Sequence, residues 1–142
     1  MLEKLRIEVW KANISLFKYG LVTMHSGNAS GRDFDSGYII IKPSGIDYET
    51  LKPENLVVVD CNGKIIEGEL NPSVDTPIHL YLYKNLPDIG GIIHTHSNYA
   101  TSFSALGMSI PAYLTGIADE FGKLIPCARY ASNEGIEIAK AI

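Results

Sequence analysis

Cysteine is scarce: only Cys61 and Cys127 occur in 142 residues, and no CxxC spacing joins them. That scarcity argues against a disulfide framework and against a cysteine-based zinc site, and each thiol reads as a small core residue. Long apolar runs are missing as well. The N-terminal MLEKLRIEVWKANISLFKYG mixes charge with apolar residues at helical spacing, so neither a signal peptide nor a membrane span is expected, and a cytoplasmic location follows. Positive charge is thin and scattered, with 12 Lys and Arg against 16 Asp and Glu for a net charge of −4. Without a basic patch, neither nucleic acid nor an anionic membrane surface is an expected partner. Repeats, low-complexity tracts and linkers are also absent, and a composition of 46% hydrophobic and 20% charged residues fits one globular domain spanning 1–142.

The patterning that is present divides into short elements. Leu2, Leu5, Val9, Ala12 and Leu16 recur every three or four residues and predict a helix that Gly20 ends, with Glu3, Lys4, Lys11 and Lys18 on its wet face. The apolar run in YIIIKPSG predicts a strand stopped by Pro43 and Gly45. Leu56–Val59 and Lys64–Glu67 flank Asp60-Cys61-Asn62-Gly63, a tight turn that predicts an antiparallel hairpin. Thr76-Pro77 opens a second helix over IHLYLYKNL, because proline in a first turn loses no hydrogen bond. GIIHTH then reads as a strand, NYATSFSALG as a helix closed by Gly107, PAYLTG and LIPCARY as strands, and NEGIEIAKAI as a last helix capped by Asn133.

Chemistry concentrates in a few of these segments. His94 and His96 stand two apart in a predicted strand, so their side chains share a face with Cα atoms roughly 6.5–7 Å apart. Two imidazoles so placed can grip one cation, supplying two of the three protein ligands of a typical catalytic zinc site; the alternative is a pair of separately hydrogen-bonded histidines. Asp75 lies upstream at the mouth of a helix, either as a cap or as a carboxylate that meets the imidazoles. His79, among Leu80, Tyr81 and Leu82, reads as a packed residue, and His25 as structural or substrate-lining. SGNAS and KPSG combine glycine with hydroxyl and amide groups and, with Ser73 and the charge of Lys42, can cradle a phosphate; each alone is also ordinary turn chemistry.

Taken together, SGNAS, IKPSGIDY, the PSVDTPIH stretch, GGIIHTHSNYAT, and IADEF followed by IPCAR resemble, in order and spacing, the class II aldolase/adducin-type family across essentially the whole chain. The resemblance implies a three-layer αβα sandwich around a mostly antiparallel sheet, in a cyclic homotetramer with active sites between subunits. It places Asp75, His94 and His96 on metal-ligand positions, with zinc as the expected ion and manganese or cobalt also admissible. Asn28, Lys42, Ser44, Gly45 and Ser73 fall on positions lining the substrate and its phosphate, and Asp119 on that of an acid/base aspartate. Val74 stands where a phosphate-holding serine is common. Family members usually extend further, through a segment with a third metal-binding histidine and a catalytic tyrosine, so the chain reads as lacking the family's C-terminal part. Aldolases of the family usually carry glutamate at the position of Asp75, so the aspartate points to the epimerase branch, which interconverts L-ribulose 5-phosphate and D-xylulose 5-phosphate. There the C3–C4 bond is cleaved, the aldehyde rotates, and the bond re-forms. The alternatives are a fuculose- or rhamnulose-phosphate type aldolase or related dehydratase, and a non-catalytic binding or assembly module of the same fold.

Overall fold

A computed structural model describes residues 2–133 and 135–142. Helix α1 (Glu3–Lys18) precedes strands β1 (Asn28–Arg32), β2 (Ile39–Ile41), β3 (Val57–Val59) and β4 (Ile65–Glu67). Helix α2 (Thr76–Asn85) then leads into β5 (Gly91–His94). The five strands form an antiparallel sheet in the order β4-β3-β2-β1-β5.

Both faces of this sheet are covered, which explains why β2 and β3 are continuously apolar rather than alternating. Ile40 and Val58 join Val9 and Leu16 of α1 on one side, whereas Ile39, Val57, Val59 and Tyr83 of α2 form a cluster on the other. Successive residues of β2 and β3 therefore point to opposite layers, as the period of a strand requires. The result is the expected αβα layering around an antiparallel sheet.

Polar side chains lock these layers together. Asn13 Nδ2 donates to the carbonyls of Val9 and Ala29, and its Oδ1 accepts from Ala29 N–H. Arg6, also buried, donates to Leu56 O and to the Glu67 carboxylate. On the other face, Arg32 donates to the Tyr83, Pro87 and Ile89 carbonyls, satisfying groups around the C-terminal end of α2. Gly31 lets α1 approach: a Cβ there would lie 2.7 Å from Val9 Cγ2.

Beyond β5 come α3 (Asn98–Ala105), β6 (Ile110–Pro111), α4 (Thr115–Phe121), β7 (Leu124–Ile125) and α5 (Glu137–Ala141). Here several expectations are corrected. Only Pro111 of PAYLTG and the first two residues of LIPCARY pair, as a two-stranded ribbon, because Thr115 onward turns into α4. The last helix begins at Glu137 with Ile136 at its cap, so Asn133 does not cap it; Glu134 lies outside the described residues. Cys61 is exposed in the β3–β4 turn rather than in the core, and Cys127 is half-buried. No helix among the described residues is long and apolar enough to cross a membrane.

Candidate functional site

Three loops meet where β1 begins and β5 ends. Asn28 pairs with His94 in the register of those strands, which sets the amide of one beside the imidazole of the other. Gly27, just before β1, has φ +72°, and a Cβ on it would lie 2.5 Å from Val22 Cγ1 and 2.7 Å from the His94 carbonyl oxygen. Only glycine allows the loop to come this close. The second loop, Lys42–Gly45, runs beside the third, Asn71–Asp75: Ser73 N–H donates to Lys42 O and Ser44 N–H to Asn71 O, both at 3.0 Å.

These loops wall a cavity of about 410 Å³ lined by Asn28, Lys42, Ser44, Gly45, Ser73, Asp75, His94 and His96, together with His25, Gly27 and Val74. Every residue expected to bind metal, substrate or phosphate thus lines one pocket. Asp119 does not: it is exposed on α4. Strand β5 ends at His94, so His96 belongs to the following loop, yet the two rings still lie 4.8 Å apart between centroids.

Asp75 occupies the N-cap position of α2 without capping it. Its Oδ2 instead accepts from Asn28 Nδ2 at 2.7 Å and meets His94 Nδ1 at 3.0 Å. The His94 contact, aided by Asn28, holds the Asp75 carboxyl below the usual range against the opposing effect of burial. Asn28 Nδ2 also donates to Ser73 Oγ, at 3.1 Å. Two acceptors on Nδ2 fix the amide orientation, and Oδ1 is left buried with no hydrogen-bond partner among the described residues.

Two imidazoles and an ionised carboxylate are the donor set of a zinc or manganese site. Their location and chemistry fit such an ion. Among the described residues, however, no three His, Cys, Asp or Glu side chains already form a metal-holding group. Asp75 and His94 face each other in a hydrogen bond, which an incoming cation would have to replace or reorganise.

His79 is packed, as its apolar neighbours imply. Its Nδ1 lies 2.7 Å from Ser30 Oγ, which also meets Tyr83 OH at 2.8 Å. Burial, opposed by Asp75, pushes its pKa down to about 4 from an ordinary value of 6.5. Above that ordinary value both folded and unfolded chains hold it neutral. As pH falls from 6.5 toward 4 the unfolded chain binds a proton that the folded one refuses, so stability drops, by roughly 3 kcal/mol over the window. Urea titrations with a chelator present should show this slope in the wild type and flatten it in His79→Gln. An equal slope in both would remove His79 as its source.

Tyr48, which pattern reading passed over, is almost wholly buried beside the pocket. Its hydroxyl donates to Gly27 O at 2.7 Å, and Lys42 Nζ sits 4.7 Å from its ring centroid. Its sequence signal is its place as the last residue of the IKPSGIDY motif.

A family model described as "Class II Aldolase and Adducin N-terminal domain" matches residues 7–142. An L-fuculose 1-phosphate aldolase structure is 36% identical with a TM-score of 0.88, over 97% of this chain and 65% of its own. YgbL from Escherichia coli, provisionally an aldolase, epimerase or decarboxylase, is 28% identical with a TM-score of 0.80 and coverages of 97% and 68%. For the L-fuculose-1-phosphate aldolase of Thermus thermophilus, identity is 24%, the TM-score 0.79 and the coverages 99% and 71%, a likeness of fold. The chain therefore spans less than two thirds of the first of these relatives. With a family model running over nearly all its residues and its site loops gathered into one pocket, this chain belongs to the class II aldolase and adducin family.

Proposed function

We propose that this chain carries the pocket of a divalent-cation-dependent enzyme that cleaves the C3–C4 bond of a phosphorylated ketose. One observation carries the reading: Asp75, His94 and His96 line the same cavity as Asn28, Lys42, Ser44 and Ser73. Cation donors and phosphate donors thereby share one small space, as a sugar phosphate requires.

Asp75, His94 and His96 would hold the cation. When bound, it would supply Lewis acidity toward the carbonyl end of the ketose, where negative charge develops as the bond breaks. Asn28 orients the Asp75 carboxylate and leaves Oδ1 as an acceptor for a donor group in the pocket. Lys42 and the hydroxyls of Ser44 and Ser73 would take the phosphate, while Val74 offers no hydrogen bond. Asp119 is proposed as an acid/base residue; exposed on α4, it would act only where an assembly brings that helix to a pocket. Exposed apolar side chains at Tyr99, Leu106, Tyr113, Leu114 and Phe121 support such assembly, as a tetramer in the family's manner.

The first reading is an aldolase of the fuculose-phosphate type, supported by the 36% identical relative. The second is the ribulose-phosphate epimerase, favoured by Asp75, whose short carboxylate touches His94 and suits a ligand rather than a free base. Incubating the purified protein with phosphorylated ketoses and Zn²⁺, Mn²⁺ or Co²⁺ separates them. The aldolase releases dihydroxyacetone phosphate and a free aldehyde, whereas the epimerase interconverts L-ribulose 5-phosphate and D-xylulose 5-phosphate without free aldehyde. If there is no turnover and no cation uptake, the enzymatic reading falls, leaving a binding or assembly module.

A further inference from the structure

Lys42 is nearly inaccessible, yet it has no carboxylate within ion-pair distance among the described residues. Among the described residues its ammonium has one hydrogen bond, a long one of 3.4 Å to Pro43 O. Arg6, the other buried cation, is committed to Leu56 O and Glu67. A buried charge so poorly partnered is costly unless something else stabilises it. The ring of Tyr48 lies 4.7 Å from Nζ, within the range where a ring's negative face attracts a cation, and the attraction strengthens when water is excluded. Phe17 stacks on the same ring, with centroids 5.8 Å apart and planes 5° from parallel, and fixes its plane. The Tyr48 hydroxyl meanwhile donates to Gly27 O.

We infer that Tyr48 is a positioning residue for anion binding: its ring face holds the Lys42 ammonium in the pocket without a carboxylate in ion-pair contact, and its hydroxyl ties the facing Gly27 loop. A carboxylate in that role would neutralise the lysine. A ring leaves the charge available to an incoming phosphate. This inference rests on the reading of the pocket as a phosphate site.

Inorganic phosphate is the probe, titrated calorimetrically against wild type, Tyr48→Phe and Tyr48→Leu, with Zn²⁺ affinity measured on the same samples. Phenylalanine keeps the ring face and lacks the hydroxyl; leucine lacks both. Tyr48→Phe should bind phosphate within about threefold of wild type, and Tyr48→Leu roughly ten- to thirtyfold more weakly than Tyr48→Phe. Zn²⁺ affinity should differ little between the two variants, since a simple loosening of the pocket would weaken both ligands. If Tyr48→Leu does not fold, Tyr48→Met provides the same comparison. Equal phosphate affinity in the Phe and Leu variants, or parallel loss of phosphate and Zn²⁺, overturns the inference while leaving the site reading intact. A wild type that binds no phosphate overturns both.

Discussion

Alanine in place of Asp75 is expected to weaken divalent-cation binding at least about a hundredfold and to reduce ketose-phosphate cleavage by a similar or larger factor. The reason is the number of contacts this one carboxylate carries. Among the described residues it is the only acid lining the pocket, it accepts from Asn28 and it faces His94. Removing it deletes the negative partner of His94 and leaves the buried Asn28 amide without the acceptor that helps fix its orientation. Asp75→Asn keeps the volume and removes the charge, so it should lose cation affinity with the fold intact by circular dichroism. Asp75→Glu is the informative third variant, because a longer carboxylate tests whether the position serves as a ligand or as a base. Wild-type cation affinity in Asp75→Ala, measured by calorimetric titration, would exclude the carboxylate from the cation site.

The largest effect on stability should come from Gly27→Ala. Its φ of +72° disfavours any side chain, and the added Cβ would fall 2.5 Å from Val22 Cγ1 and 2.7 Å from a backbone oxygen that cannot swing aside. Strain and overpacking together should cost about 3–5 kcal/mol, enough to unfold a marginal domain. Gly45→Ala is the control. It shares a positive φ of +70° but has nothing within 4 Å of the new carbon, so it should cost only about 1–2 kcal/mol. Urea midpoints of the two variants measure the difference. Similar losses for both would show that the crowding at Gly27 relaxes at little cost.

Much of the site was legible because its chemistry sits in short local stretches. The Ser26–Ser30, Lys42–Gly45 and Ser73–Asp75 segments carry small polar residues beside glycine or proline, and that punctuation marks where the backbone turns into the pocket. Spacing put His94 and His96 on one face but left a separately hydrogen-bonded pair open, and His96 lies past the strand end, where the strict alternation behind that reading no longer applies. Other features depend on partners far along the chain. Periodicity assigned α1 its apolar stripe but could not show that Arg6 and Asn13 are buried within it, because their partners are backbone groups of Leu56 and Ala29 that need satisfying. Tyr48 stands in the IKPSGIDY motif with no role that spacing assigns, because its contacts with Lys42 and Gly27 exist only once the chain folds. The segment after β5 was read least well. Its short strands pair with each other rather than with the five-stranded sheet, so tertiary packing there does little to reinforce local propensity.

Diffraction from a crystal of this protein soaked in Zn²⁺ and recorded at the metal absorption edge tests the central claim most directly. The account predicts one anomalous peak in the pocket, with imidazole nitrogens of both His94 and His96 about 2.0–2.1 Å away and an Asp75 oxygen at a comparable distance. A fully loaded crystal whose zinc lies elsewhere, or touches none of these three side chains, would contradict it.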